Sequence, residues 1–124
     1  LLDILRTKKD WYAIGSTGKG PQVLPRFFIE RFHKDRVRNK IVLRVLCNPT
    51  PEGKRRGTEF KKYELVEVKY LPKTNKSPAT IYVYGKKTAI LMWLTGDKPF
   101  AILIEHEEIA KSFRSYFHLL WKIS

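Results

Sequence analysis

The chain has 124 residues, of which 43% are hydrophobic and 13% are aromatic, so it can fold as one domain with a substantial core. Its 25 Lys and Arg residues outnumber its 12 Asp and Glu residues, and the resulting net charge of +13 favours an anionic partner. The same surplus also fits a heat-adapted protein with a charged surface. Composition therefore predicts a basic globular domain without naming its partner.

Residue counts exclude several classes of protein. A single cysteine, Cys47, cannot form an internal disulfide and fits a reducing, cytoplasmic location. The three scattered histidines have no zinc-binding spacing with it, so we expect no metal and no cofactor. The longest apolar runs, AILMWL and FAILI, are too short to cross a bilayer, and no membrane partner is expected.

The beginning of the chain, LLDILRTKK, has the pattern of a helix end. We interpret residues 1–9 as the end of a truncated linker helix, and the whole chain, 1–124, as a single α/β regulatory domain. A short strand is predicted at 11–16, and TGKGP then predicts a glycine-rich turn into a helix with Pro21 in its first turn. The apolar side of that helix comprises Val23, Leu24, Phe27, Phe28 and Phe32.

The rest of the chain is dominated by strands, predicted at 41–46, 65–71, 80–84, 88–94 and 100–105. NPTPEGKRRG (48–57) is predicted as a polar loop, and 58–64 as a short helix. The final helix has an apolar stripe formed by Ile109, Phe113, Tyr116, Phe117, Leu120 and Trp121. The order β-α-β-(α)-β-β-β-β-α predicts an α/β fold in which a mixed β-sheet is flanked by helices.

The letters HKD at His33, Lys34 and Asp35 invite comparison with a phosphodiesterase superfamily that is named after them. Consecutive helical residues point about 100° apart and cannot converge on one phosphate. The enzymatic signature is H-x-K-x-x-x-x-D, and the residues two positions after the three histidines are Asp35, Glu108 and Leu120. We therefore predict no catalytic residues, and we place FHKDR on a solvated helix face.

Two long segments resemble a known family: IGSTGKGPQVLPRFFIERFHKDRVRNKIVLRVLCNPTPEGKRRG and IYVYGKKTAILMWLTGDKPFAILIEHEEIAKSFRSYFHLLW. Both are similar to the C-terminal effector and dimerisation domain of TrmB-like archaeal transcriptional regulators. The most specific parts are FAILIEHEEIAKSFRSYFHLLW and GKRRG. The resemblance implies a phospholipase-D-like half-domain and a winged-helix module upstream that makes most of the contacts with DNA.

The resemblance also locates where a catalytic signature would stand. In the phosphodiesterases it precedes a glycine turn and a hydrophobic strand, which in this chain corresponds to Ser77, Ala79 and Tyr84. None of the three is His, Lys or Asp, so the resemblance implies a catalytic fold kept for binding. We expect a ligand-sensing and dimerisation domain of a TrmB-like regulator. The alternatives are a phosphodiesterase-like enzyme with an unconventional site, or a basic domain that contacts nucleic acid directly.

A small anionic effector has one candidate site. It combines the turn after the first strand with the loop after the second, and comprises Ser16, Thr17, Gly18, Lys19, Gly20, Arg55 and Arg56. Parallel neighbouring strands would bring both loops to one edge, where backbone N–H groups and cations suit an anion. The alternatives are a turn that needs glycine for its backbone angles and a solvated basic loop.

The last helix carries the candidate dimer interface. Tyr116, Phe117 and Trp121 form an aromatic cluster near the end of the chain, which a symmetric partner could cover. Ordinary packing beneath the sheet is the alternative. A homodimer is the predicted assembly.

Overall fold

A computed structural model describes residues 2–16, 26–72, 79–93 and 99–124. The elements, in chain order, are α1 (Leu2–Thr7), β1 (Trp11–Ser16), α2 (Arg26–Arg38), β2 (Leu43–Cys47), α3 (Pro51–Phe60), β3 (Val66–Tyr70), β4 (Ala79–Tyr84), β5 (Lys87–Trp93), β6 (Pro99–Glu105) and α4 (Glu107–Ile123). The predicted α/β fold, with its mixed sheet and flanking helices, is confirmed.

The strands form one six-stranded sheet in the order β3-β2-β1-β4-β5-β6. The first three strands are parallel, and β4, β5 and β6 are added by antiparallel pairing. The parallel half follows from the helical connections, because a strand must cross back before it can pair in parallel. In the antiparallel half, β4, β5 and β6 pair in the order in which they follow each other in the chain, and Gly85, with a φ of +60°, supplies the turn between β4 and β5.

Each face of the sheet has its own core. On one face Phe32 of α2 and Phe60 of α3 pack against Leu43, Val45 and neighbouring strand residues. On the other face Phe117 of α4 packs against Ile14 and Leu46, with Tyr12 and Ile81 beside them. We call these the α2–α3 face and the α4 face.

The region predicted as a polar loop is helical, so that prediction was wrong: α3 begins at Pro51, inside the segment 48–57. Thr50 caps this helix, accepting a hydrogen bond from the Gly53 backbone N–H at 3.1 Å. Gly53 and Gly57 are both buried, and a Cβ would collide with the Asn48 backbone at the first position and with the Tyr70 ring at the second. Gly53 therefore lets α3 lie close to the residue that follows β2, and Gly57 lets it lie close to β3.

The first helix is fixed to the sheet. Ile4 is buried in the core of the α2–α3 face. Asp3 accepts hydrogen bonds from Lys87 Nζ at 2.9 Å and Tyr84 Oη at 3.0 Å. The Lys87 hydrogen bond lowers the pKa of the Asp3 carboxyl, so the aspartate is charged at neutral pH. In the part of the chain that the structure describes, no helix is long and apolar enough to cross a membrane.

Candidate functional site

The predicted anion site has one geometrical premise that the structure supports. β1 and β2 are adjacent and parallel, and Ser16 pairs with Cys47 at their carboxyl ends, so both following segments start at the same edge. Thr17, Gly18, Lys19 and Gly20 lie outside the described residues. The site therefore stays a prediction.

The two arginines of that prediction lie on α3 and differ in exposure. Arg55 is exposed. The side chain of Arg56 is only 14% exposed, because it contacts Glu59 at 3.1 Å and lies 4.1 Å from the Phe60 ring centroid. Arg56 is thus held against its own helix, and of the pair Arg55 is the one whose charge faces water.

The helix that contains HKD has a buried polar cluster, so the prediction of a solvated face was wrong for His33. His33 and Arg36 are 3% and 0% exposed, whereas Lys34 is exposed. The His33 ring stacks on Tyr63 at 4.0 Å between centroids. Arg36 lies one turn after His33, and its Nε donates to His33 Nδ1 at 3.1 Å. Helical spacing placed both side chains on the inner side.

Arg36 joins three parts of the chain. Its guanidinium donates to the carbonyls of Ile41 at 2.8 Å, Leu65 at 2.9 Å and Glu64 at 2.7 Å. Leu65 has a φ of +54°, a backbone conformation that residues other than glycine rarely adopt. Arg36 therefore fixes the segment that enters β3, and its hydrogen bonds offset the cost of burying its charge.

Burial sets the protonation of this cluster. Desolvation, followed by the charges of Arg36 and Arg56, lowers the pKa of His33 to about 3, so the ring is neutral at physiological pH. Desolvation also lowers the pKa of Arg36 to about 10, which leaves the guanidinium charged. A neutral, stacked and hydrogen-bonded imidazole is a structural group here rather than a proton donor at neutral pH.

A groove lies outside this cluster, between α2 and the segment that follows α3. Its volume is about 730 Å³. Four exposed cations line it, namely Arg31, Lys34, Arg38 and Lys62. Phe27 stands beside them with 76% of its surface exposed. We call this the α2 groove.

The α2 groove keeps a positive surplus although carboxylates also line it. Of these, Glu30 pairs with Arg26 at 3.1 Å and Asp35 pairs with Arg38 at 3.6 Å, and Glu64 is exposed. Among the described residues, Arg31, Lys34 and Lys62 form no ion pair within 4 Å. Three cations are therefore left to face an anionic partner.

Sequence patterns missed two of these features. Phe27 was predicted on the apolar side of its helix, but it is more exposed than any other large apolar side chain in the described ranges. A cation at Arg36 was expected in water, because charged residues are rarely buried without partners. Arg36 lies four residues after Phe32, and this spacing was the available signal that Arg36 faces inward.

The aromatic cluster of α4 is divided between core and surface. Phe117 is fully buried, so its assignment to a dimer interface is corrected: it is a core residue. Trp121 is partly buried, stacking on Phe117 at 5.4 Å with Lys69 Nζ 4.9 Å from its ring. Tyr116 is 57% exposed, and the exposed apolar stripe continues to Leu119 and Ile123, at 63% and 62%.

Two observations in the described ranges bear on metal binding and on catalysis by a cysteine nucleophile. No group of three or more His, Cys, Asp and Glu residues there could hold a metal ion. Burial raises the pKa of the Cys47 thiol to about 12, which keeps it protonated and poorly nucleophilic. What the surface offers is positive charge and exposed apolar groups.

The fold and the surface define a mixed-sheet α/β domain with a basic helical face. Of the solved structures, one match is TrmBL2, described as an archaeal chromatin protein with a novel mode of DNA binding. The TM-score is 0.57 at 10% sequence identity, and the match covers 98% of this chain and 48% of the other. This likeness shows a shared fold, and this chain spans about half the length of its match.

Comparisons of sequence add no further relatives. No family model matches the chain, and no curated protein does. The similarity therefore rests on the three-dimensional arrangement, and at 10% identity it shows the fold alone.

Proposed function

We propose that this chain is a non-catalytic domain of a TrmB-like, DNA-associated protein, and that its α2–α3 face binds the DNA backbone. Phosphate contacts made by flexible cations supply affinity without reading sequence. A winged-helix module upstream would then supply selectivity, as the resemblance implies. The chromatin protein that shares the fold is described as binding DNA, which supports this class of partner.

The observation that carries the proposal is the uneven distribution of charge. The segments 26–38 and 51–65 contain ten basic and five acidic residues, whereas α4 contains three basic and two acidic residues. Both segments lie on the same side of the sheet, since Phe32 and Phe60 share one core. A face with such a surplus attracts a polyanion at long range and releases counterions on contact.

The test measures binding of the 124-residue chain to a fluorescent 20-base-pair duplex as salt is raised. We expect weak binding without sequence preference, and a loss of most affinity between about 50 and 200 mM salt. The triple variant Arg31→Ala, Lys34→Ala, Lys62→Ala should bind about tenfold or more weakly, with a slope of log K against log salt reduced by about one for each lost phosphate contact.

The matched control removes three exposed charges from elsewhere, in Lys86→Ala, Lys111→Ala, Lys122→Ala. It should retain nearly the affinity of the parent chain, since these residues lie outside the α2–α3 face. Equal losses in both triple variants would show that only the overall charge matters. Tight, sequence-selective binding would show instead that this domain contains the element that reads DNA.

The effector function is proposed for the edge where β1 and β2 end. Lys19 and Arg55 would bind a small anion, such as a phosphorylated sugar or nucleotide, together with backbone N–H groups of the turn. The variant Lys19→Ala, Arg55→Ala should lose binding of such compounds in calorimetry. Its melting temperature should hardly change on account of Arg55, which is exposed, because exposed charges contribute little stability. Unchanged binding would remove this site from the proposal.

A homodimer is proposed through α4. The supporting observation is the exposed stripe of Tyr116, Leu119 and Ile123, with the partly buried Trp121 at its margin. A two-fold axis along such a helix would bury the same apolar side chains of both copies. The dimer would place two α2–α3 faces on one DNA-associated assembly.

A further inference from the structure

Phe27 is in an unusual environment for a phenylalanine. It is 76% exposed at the start of α2, although burying such a ring would stabilise the fold. It also stands among charges, since seven of the eleven residues that line the groove it borders are cations or carboxylates. A second protein surface that covered Phe27 would also have to desolvate those charges.

The cations follow Phe27 along one line of the helix. Phe27, Arg31, Lys34 and Arg38 are separated by four, three and four residues, which places them on one side of α2. The line is about 17 Å long at the helical rise of about 1.5 Å per residue. Lys62 and Tyr63 form the opposite wall of the α2 groove.

This arrangement matches the chemistry of one kind of nucleic acid. Proteins that bind single strands combine a positively charged groove with aromatic rings on which bases stack. A duplex presents phosphates but keeps its bases in the helical stack, so a phenyl ring reaches the face of a base there only by unstacking the duplex, which costs free energy.

We propose that the α2 groove binds single-stranded nucleic acid, with the Phe27 ring stacking on a base and Arg31, Lys34 and Lys62 binding the adjacent phosphates. The inference rests on the proposed binding of DNA by the α2–α3 face and adds a preference for unpaired strands. Stacking tolerates any base, because every base has an aromatic face. The groove therefore recognises strand state rather than sequence.

The experiment compares the parent chain with Phe27→Ala, Phe27→Trp and the control Phe100→Ala. Phe100 is an exposed phenylalanine on β6, 48% accessible and remote in the sheet order from the α2–α3 helices. Fluorescence anisotropy measures binding to a 12-nucleotide thymidine strand, a 12-nucleotide uridine strand and a 12-base-pair duplex at the same salt. The first two probes distinguish DNA from RNA as the source of the strand.

The parent chain should bind at least one single strand more tightly than the duplex. Phe27→Ala should lower that affinity about tenfold, as expected for one lost base stack, and change duplex affinity less than twofold. Phe27→Trp should keep the single-strand affinity of the parent chain, because it retains an aromatic ring, and Phe100→Ala should not change that affinity. Circular dichroism should show unchanged helix content, because Phe27 is exposed.

The outcomes separate this inference from the function on which it rests. Salt-dependent duplex binding with equal or weaker single-strand binding, unaffected by Phe27→Ala, would overturn the inference and leave the proposed function standing. Absence of binding to all three probes would overturn both. If Phe27→Ala lost equal affinity for the single strand and for the duplex, the inference would also be overturned, since stacking on an unpaired base could not explain the loss.

Discussion

The two faces of the sheet are stabilised in different ways. The α2–α3 face carries α2, α3 and the short α1, and it has a buried polar cluster around Arg36 and a strongly basic outer surface. The α4 face has a single helix and an apolar core around Phe117, and its outer surface retains apolar side chains such as Leu119. Charge on one side and exposed apolar surface on the other fit two different kinds of partner.

This difference locates the two proposed interactions. A polyanion is attracted by the α2–α3 face, where cations outnumber carboxylates. Another protein subunit is favoured on the α4 face, where an exposed apolar stripe can be buried without desolvating many charges. Single substitutions on each face test this division, because they should differ in their effect on folding and on association.

The largest effect is expected from Arg36→Met on the α2–α3 face. The substitution leaves the carbonyls of Ile41, Glu64 and Leu65 without their buried donor and releases the segment that enters β3. We expect the free energy of unfolding in urea to fall by about 3–5 kcal/mol.

Arg38→Met is the matched control for Arg36→Met. Its side chain is 78% exposed and, among the described residues, forms an ion pair only with Asp35, so its loss should cost less than about 1 kcal/mol. Similar stabilities of the two variants would mean that the buried cluster contributes no more than a surface ion pair. The difference in stabilising effect that we expect between the buried Arg36 and the exposed Arg38 would then be absent.

The second effect is a dependence of stability on pH. His33 has a pKa of about 3 in the folded chain and about 6.5 when unfolded, so the unfolded state binds more protons between these values. The contribution that neutral His33 makes to the free energy of unfolding is therefore fully present above about pH 6.5 and is lost as the pH falls toward 3. At pH 4.5 the loss should be about 3 kcal/mol relative to pH 7.5.

Comparison with His33→Gln isolates this contribution, because glutamine offers Arg36 an acceptor and does not titrate. The variant should show a smaller decline in unfolding free energy between pH 7.5 and pH 4.5 than the parent chain. His118 is exposed on α4, so His118→Gln should leave the decline unchanged. Identical pH profiles for parent and His33→Gln would contradict a neutral, buried His33.

The third effect concerns a close contact between α3 and the segment that links it to β2. Alanine usually stabilises a helix relative to glycine, but a Cβ at Gly53 would collide with the backbone of Asn48, the residue after β2. We expect Gly53→Ala to lower the free energy of unfolding by about 1–3 kcal/mol, as overpacking does. Lys54→Ala, at the next and exposed position, should be neutral. A more stable Gly53→Ala would show that α3 can move away from Asn48.

Much of the fold could be predicted because hydrophobic periodicity decides it. Strand β1 was predicted at its observed bounds, and the strand predicted at 65–71 contains β3, whose alternating Val66, Val68 and Tyr70 pack against the core. Helix α3 was missed because Gly53 and Gly57 indicate a loop by propensity alone. Thr50 followed by Pro51 was a helix-start signal, which the glycines outweighed.

The candidate site was less predictable, because exposure depends on packing between distant segments. Whether Arg36 faces water or the core is decided by carbonyls that lie up to 29 residues away in sequence. Phe27 and Phe32 are equally apolar in sequence, yet one is exposed and the other buried. Local pattern cannot distinguish them, since the other wall of the α2 groove comes from the segment after α3.

The smallest effect on stability and a clear effect on association are expected at Tyr116, on the α4 face. Tyr116 is 57% exposed, so Tyr116→Glu should change the free energy of unfolding by less than about 0.5 kcal/mol. In a dimer the added carboxylates would be buried near each other across the two-fold axis, which is costly. Sedimentation should therefore show a dimer for the parent chain and a monomer for Tyr116→Glu.

Ser115→Glu adds the same charge at an exposed position beside the stripe and should leave the dimer intact. A monomeric parent chain, or a Tyr116→Glu variant that stays dimeric, would remove the α4 stripe as the interface and leave its exposed apolar residues for a different protein partner.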